Sequence, residues 1–250
     1  TDYSGIIGLI TCDAFGDCGS QKITVIGHAD STDVSASNAN VVYEYAPGGS
    51  SLGEGNLVVP AVVPSFGGTA IIGLEAEAVG LRPWEDTCSS PCYNIMRAVF
   101  DTLLEQDSTG AYVGNAAVSI TPSDDLTVWT MVLRDGIVFH NGVAFNAQTI
   151  ADMWVIQQEG AASAGHIGAS KLANVEATGD MEVTYTLSQA NAAFPSFLSR
   201  IYIGGIFEPG AAAADSDAFS LAPVGSGPFV IETRDIDNET VFTRNPNYWK

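Results

Sequence analysis

The feature that most constrains the fold is a continuous pattern of apolar and turn residues between positions 125 and 157. The run DLTVWTMVL is apolar on both faces, which is typical of a central strand covered on each side. Asn141-Gly142 then predicts a tight turn, and Asn146 stands where a helix N-cap is expected. The segment that follows has helical spacing of its larger side chains, namely Ile150, Met153, Trp154 and Gln157.

Further segments mix strand and helix patterns without a regular alternation. The stretch GGTAIIGLEAEAV (67–79) predicts a strand, and YNIMRAVFDTLLEQD (93–107) predicts a helix. DMEVTYTLS (180–188) predicts a half-buried antiparallel strand, NAAFPSFLSRI (191–201) a short helix, and residues 227–245 a hairpin. Together these patterns predict a mixed α/β lobe.

Residues 1–66 have a different composition from the rest of the chain. They are rich in Gly and Ser, with the short apolar runs GIIGLI, KITVIG and NLVVPAVV between turn clusters. We interpret them as an N-terminal extension with two or three strands and a linker. The chain opens on TDYSGIIGL without a basic leader, so an exported protein is expected here either in its processed form or as an expressed segment.

The net charge of -20, with only three Lys, excludes a basic face for nucleic acid. No run approaches the roughly 18 apolar residues that a membrane helix needs. The sequence therefore predicts a globular protein that binds neither nucleic acid nor the interior of a membrane.

The four cysteines form two close pairs, Cys12/Cys18 and Cys88/Cys92. Two local disulfides in an oxidising compartment are one interpretation, and the even count favours export. Metal ligation is a second, although no His lies near either pair. A redox pair at Cys88/Cys92 is a third, although the spacing is not C-x-x-C.

Residues that could carry catalysis lack partners. His140 sits beside the Asn-Gly turn and far in sequence from the other two His, so we interpret it as structural and predict no metal site. Ser226 in GSGP lacks the pattern around a serine nucleophile. Asp124 and Asp125, if they lie on a strand, point to opposite faces. A hydrolase is the alternative, but we predict no enzyme and no cofactor.

Several collinear motifs resemble the extracellular solute-binding proteins of family 5, the oligopeptide, dipeptide and nickel receptors of ABC importers. The similar segments run from GGTAIIGLEAEAVGLRPW through LRDGIVFHNG and PVGSGPFVI to RNPNYW. The resemblance implies a type II periplasmic-binding-protein fold. It covers residues 67–250 as the N-terminal lobe, with 93–203 as a separate subdomain and the second lobe largely missing after Lys250.

The resemblance also implies a ligand cleft between two lobes, reached by the loop RPWEDTCSSPCYN. The expected contacts are Thr87, Cys88, Ser89 and Tyr93, with Trp84 as a wall of the cleft. The alternative is that Trp84 belongs to the core and that the Cys88/Cys92 disulfide stiffens a surface loop.

The implied function is capture of a small solute outside the cytoplasm, in the periplasm or at the cell envelope. The protein is expected to act as a monomer and to deliver the solute to ABC permease subunits. Peptide is the first expectation, nickel or haem is disfavoured by the absence of a His cluster, and sugar remains open. A structural or adhesive extracellular module is the other alternative.

Overall fold

The computed structural model describes residues 67–250 and, before them, the backbone of two strands. These are β1 (Ile23–Ile26), inside the predicted run KITVIG, and β2 (Val41–Tyr45), and they pair antiparallel. The predicted runs GIIGLI and NLVVPAVV lie outside the described residues. The chain divides into two compact units, Thr1–Ala70 and Ile71–Lys250.

A four-stranded antiparallel sheet organises part of the second unit. Its order is β5 (Ala117–Pro122), β6 (Val128–Leu133), β8 (Glu182–Leu187) and β7 (Leu172–Gly179). The alternation predicted for β8 is confirmed. Its inward side chains, Val183, Tyr185 and Leu187, are buried, and Glu182 is exposed.

The strand β6 is central in the sheet, as predicted, but it is not covered on both faces. Trp129, Met131 and Leu133 are buried, whereas Val132 on the other face is 39% exposed. The prediction of a doubly covered strand is therefore wrong. An antiparallel sheet tolerates one solvated face, and the two apolar residues on that face, Val128 and Val132, do not require a covering layer.

The helix α2 (Ala147–Gln157) begins where the sequence predicts. The side-chain oxygen of Asn146 accepts a hydrogen bond from the Thr149 backbone N–H at 3.0 Å, and the Thr149 hydroxyl lies 3.2 Å from the Asn146 N–H. This reciprocal capping box satisfies two backbone donors of the first turn. The buried face of α2 packs against β7 and β8. A further helix, α3 (Ala161–Ser170), follows.

The helix α1 (Ser90–Val99) is shorter than the helix predicted over 93–107. Phe100 is already extended, and the residues after it bond to other segments instead of to the preceding turn. Leu103 and Leu104 are buried, as a helical pattern would require, but Leu103 lies in a bend and Leu104 in a strand. Tertiary pairing overrides the local helical preference here.

The remaining elements are short. A small hairpin consists of β3 (Leu104–Gln106) and β4 (Tyr112–Gly114), and the predicted C-terminal hairpin is present as β9 (Phe229–Asp235) and β10 (Glu239–Arg244). The predicted helix at 191–201 forms two pieces. Four short helices complete the unit, namely α4 (Phe194–Leu198), α5 (Ile201–Gly204), α6 (Pro209–Ala214) and α7 (Ser216–Leu221).

The strand predicted over 67–79 does not form. Ile71 is 95% exposed and Val79 is 93% exposed, and no strand of the described residues pairs with this segment. A strand needs a neighbour to satisfy its backbone donors and acceptors, so strand propensity alone is insufficient.

The mixed α/β class is nevertheless confirmed. In the described part of the chain, no helix is long and apolar enough to cross a membrane.

The segment PVGSGPF passes very close to the end of α1. The Gly227 N–H donates to the Val99 carbonyl at 2.8 Å. A Cβ on Gly225 would lie 2.1 Å from that same carbonyl oxygen. Glycine is therefore required at Gly225 for the close approach of two backbones.

We expect Gly225→Ala to lower the free energy of unfolding by about 2 kcal/mol or more, because the new methyl group has no room against Val99. Gly165→Ala is the matched control, since a Cβ at this exposed helical position meets nothing within 4 Å. The control should raise stability by about 0.5–1 kcal/mol through helix propensity. Urea unfolding measures both, and a neutral Gly225→Ala would contradict this packing.

Candidate functional site

The second unit contains an open, polar pocket with a volume of about 690 Å³. This volume falls within the roughly 300–1,000 Å³ typical of ligand pockets. Its walls come from the end of α1, the β3–β4 hairpin, the α4–α5 connection and Lys250. The charged residues among its lining are Arg97, Asp101, Glu105, Arg200 and Lys250.

Two backbone hydrogen bonds bring these distant parts of the sequence together. The Leu103 N–H donates to the Gly204 carbonyl at 2.9 Å, and the Ile206 N–H donates to the Asp101 carbonyl at 2.9 Å. Residues 101–103 and 204–206 therefore run side by side. This pairing places the last turn of α1 and the turn before α5 on the same pocket.

Asp101 is the buried polar centre beside the pocket, and only 7% of it is exposed. Its carboxylate accepts three hydrogen bonds, from the Trp249 Nε1–H at 2.8 Å, the Tyr248 hydroxyl at 3.2 Å and the Ser226 hydroxyl at 3.2 Å. Burial raises the pKa of Asp101, and this effect outweighs the opposing effect of the three donors. The RNPNYW motif is thus anchored to Asp101 through Tyr248 and Trp249.

Tyr93 lies on the pocket wall next to a second aromatic side chain, Tyr202. The two rings meet edge to face with centroids 6.1 Å apart, and the Tyr202 hydroxyl accepts from the Cys88 N–H at 3.1 Å. Burial, and then the neighbouring Tyr202 hydroxyl, raise the pKa of Tyr93 to about 12. The positive charges of Arg200 and Arg97 oppose that rise in the pKa.

The predicted disulfide Cys88–Cys92 is present, with the two Cα atoms 5.2 Å apart. Because each sulfur is bonded to the other, this pair does not ligate a metal in the disulfide form. Cys92 is buried at the start of α1, whereas Thr87 and Ser89 are exposed. The bridge therefore fastens an exposed loop to the helix that carries Tyr93. Cys12 and Cys18 lie outside the described residues.

Trp84 belongs to the core, and only 6% of it is exposed. Its ring packs against Phe207 and Phe219, with centroids 4.6 and 5.2 Å away. Its edge lines a separate depression of about 300 Å³ with Val155 and Glu159. Of the predicted contacts, Tyr93 lines the pocket of about 690 Å³ and Trp84 does not. Ligand contact by the predicted residues remains a prediction.

His140 is structural, as expected. The Gly225 N–H donates to its Nδ1 at 3.3 Å, so the proton resides on Nε2, which donates to the Gly227 carbonyl at 3.1 Å. Burial lowers the pKa of His140, which keeps the ring neutral. Both ring nitrogens are therefore occupied in tying the Asn-Gly turn to the GSGP segment.

Ser226, Asp101 and His140 come together, but they do not form a nucleophilic site. The Ser226 side chain is fully buried, and its hydroxyl donates to Asp101 instead of to the ring of His140. Asp124 and Asp125 lie in the turn between β5 and β6 and not on a strand. The Asp125 carboxylate accepts from Ser123 and Thr127 and shapes that turn.

Sequence reasoning missed Arg97, Asp101 and Arg200. A signal was present for Asp101, since it is a single acid inside the apolar pattern VFDTLL. The described residues contain no group of three or more His, Cys, Asp or Glu that could hold a metal ion.

Comparison with known proteins identifies the family. The model of the bacterial extracellular solute-binding proteins, family 5 middle, matches residues 111–250, which is more than half of the chain. The chain therefore belongs to the bacterial extracellular solute-binding proteins of family 5. The predicted family is confirmed, and with it the predicted placement of these proteins outside the cytoplasm.

Named relatives differ in what they bind. The chain is 28% identical over 156 residues to the nickel-binding periplasmic protein of Escherichia coli K12, which covers 60% of this chain and 29% of the relative. It is 27% identical over 223 residues to di/tripeptide-binding protein 1 of Pseudomonas aeruginosa, covering 78% and 41%. The chain thus spans less than half the length of either relative.

A solved structure confirms the fold. The Haemophilus influenzae OppA complex with the peptide RPPGFSPFR superimposes with a TM-score of 0.62 at 20% identity, covering 70% of this chain and 37% of that one. The predicted periplasmic-binding-protein architecture, present as part of a larger fold, is confirmed by this likeness.

We expect Asp101→Ala to lower the free energy of unfolding by roughly 3 kcal/mol or more, because the buried Ser226 hydroxyl and the half-buried donors of Tyr248 and Trp249 lose their acceptor. Asp101→Asn keeps an acceptor oxygen and should cost about 1 kcal/mol. Urea unfolding at pH 7 distinguishes the two variants. Similar losses for both would contradict the network.

A comparison of the native chain with Asp101→Asn gives a pH prediction. The pKa of Asp101 is raised in the folded state, so the native state holds this proton more tightly than the unfolded state does. The native chain should therefore gain stability relative to Asp101→Asn as pH falls from 7 towards about 4. A difference that stays constant with pH, or that moves the other way, would contradict the raised pKa.

Proposed function

We propose that this chain is part of the substrate-binding component of an ABC importer, which captures a small solute outside the cytoplasm and delivers it to permease subunits. Membership of the solute-binding family supports the class of function. The pocket of about 690 Å³ beside Tyr93 is the observation that carries it to particular residues. Closure over the ligand would come from the part of the relatives that this chain does not span.

A short peptide is the proposed ligand class. The pocket is polar and open, and its lining offers hydrogen-bonding groups of both kinds, among them Thr102, Gln106, Asn115 and Ser199. Such a surface suits the repeated N–H and C=O groups of a peptide backbone. The described residues offer no clustered ligands for a bare metal ion, which places nickel behind peptide.

We propose that the protein performs no chemistry on its ligand and acts as a monomer. The burial of Ser226 and the occupied ring of His140 support the first part, because neither group has access to a bound solute. The disulfide Cys88–Cys92 is consistent with an oxidising compartment such as the periplasm.

Thermal unfolding with a panel of dipeptides, tripeptides and neutral sugars tests this proposal. A ligand at about ten times its Kd should stabilise the chain by about 1.4 kcal/mol. This corresponds to a rise in Tm of roughly 3–6 °C for a unit of this size. We expect the rise with peptides and not with sugars. A flat response to every member of the panel would contradict a solute-binding function.

A longer protein that includes the second lobe gives the companion measurement. One wall of a cleft supplies only part of the contacts, so the longer protein should bind the same peptide at least about tenfold more tightly. Calorimetric titration of both proteins measures this ratio. Equal affinities would contradict capture between two lobes.

A further inference from the structure

Three sulfur atoms lie together at the start of α1, and none of their residues lines the pocket of about 690 Å³. Cys88, Cys92 and Met96 follow one another at intervals of four residues, and the last two lie in α1. Residues four apart share one face of a helix, and the disulfide holds Cys88 to the same face. The Cys88 Sγ lies 3.4 Å from the Met96 Sδ. The three sulfur atoms therefore occupy one small volume.

The contact with Met96 adds a ligand that the cysteine pair lacks by itself. The Cys88 Sγ is bonded to Cys92, so it carries no proton to donate to the thioether. Met96 is fully buried, and Leu would fill a similar volume in a core of this kind. Packing alone therefore does not require sulfur at this position, whereas metal binding would use it.

Two thiolates and a thioether form a soft set of ligands, and such a set selects Cu(I) among the biological metal ions. Two sulfur atoms that each lie about 2.3 Å from one ion can be up to about 4.6 Å apart. The distance of 3.4 Å between Cys88 Sγ and Met96 Sδ falls within that span. One ion can therefore contact both atoms without a large movement of the backbone.

The surroundings favour the thiolate form and give access to it. Cys92 is the third residue of α1, where free backbone N–H groups and the helix dipole stabilise a negative sulfur. Cys88 is half-buried and stands between the exposed residues Thr87 and Ser89. The loop thus leaves a path to the bridge for a small reductant and for an ion.

We propose that Cys88, Cys92 and Met96 bind one Cu(I) ion after the disulfide has been reduced by a dithiol. A thiolate of the dithiol attacks the Cys88 sulfur, the bond to Cys92 breaks, and Cys92 leaves as a thiolate and takes a proton. The second thiol of the reductant then displaces Cys88, and the reductant departs as a cyclic disulfide. Two electrons and two protons have passed to the cysteines. Cu(I) finally replaces the two thiol protons and keeps its oxidation state.

Competition with a chelator tests the site in the full chain. Every protein carries Cys12→Ser and Cys18→Ser, so that only the Cys88/Cys92 pair can supply thiolates. The protein is reduced with dithiothreitol, desalted under argon and titrated into the coloured Cu(I) complex of bicinchoninate. We expect the reduced chain to remove one Cu(I) per chain and the disulfide form to remove none. X-ray absorption at the copper edge should show three sulfur neighbours.

Variants assign the ligands. Loss of a residue that merely orients a metal ligand costs about 10–100-fold in affinity, so Met96→Leu should weaken Cu(I) by at least about tenfold. Met153→Leu is the matched control and should leave the affinity unchanged, because Met153 is equally buried but lies in α2. Cys88→Ser, which changes a half-buried position, should abolish removal of Cu(I) from the chelator.

Each failure has a defined meaning. If the reduced chain unfolds in circular dichroism, or stays folded and takes no Cu(I), the site is wrong and the bridge is only a structural link. If Met96→Leu binds Cu(I) as the parent does, the assignment of the thioether is wrong. Retention of Ni(II) as tight as that of Cu(I) would contradict a soft set of ligands. All of these results leave the proposed capture of solutes standing, since that test uses the disulfide form.

Discussion

The contact between the end of α1 and the GSGP segment holds the rest of the site in place. The Val99 carbonyl accepts from Gly227, and Asp101, two residues on, accepts from Ser226, Tyr248 and Trp249. Because both anchors are buried, the loss of either leaves polar groups unsatisfied inside the protein. The stretch from Val99 to Asp101 thereby fixes both the helix that carries Tyr93 and Arg97 and the RNPNYW motif.

This arrangement engages two chemistry-bearing residues in structural hydrogen bonds. Both ring nitrogens of His140 bond to the backbone of the GSGP segment, and the Ser226 hydroxyl donates to Asp101. What remains accessible is the pocket wall with its arginines and hydrogen-bonding side chains. A wall of this kind suits the proposed binding of a solute, which agrees with membership of a family of solute-binding proteins.

Local sequence patterns predicted the elements whose stability is local. The capped helix α2 and the alternating strand β8 follow from periodicity and from Asn146 alone. The pocket could not be predicted in this way, since Arg97 and Arg200 reach the same pocket through the pairing of residues 101–103 with residues 204–206. The same pairing ends α1 at Val99, where periodicity continues a helix. Trp84 also has no local mark that separates a core residue from a cleft wall.

We propose that solute binds at the pocket beside Tyr93 and not at the depression beside Trp84. Backbone amide resonances followed by nuclear magnetic resonance during titration with trialanine test it most directly. We expect the largest shifts at Tyr93, at residues 101–106 and at residues 199–201. Shifts confined to Trp84 and residues 155–159 would contradict the account.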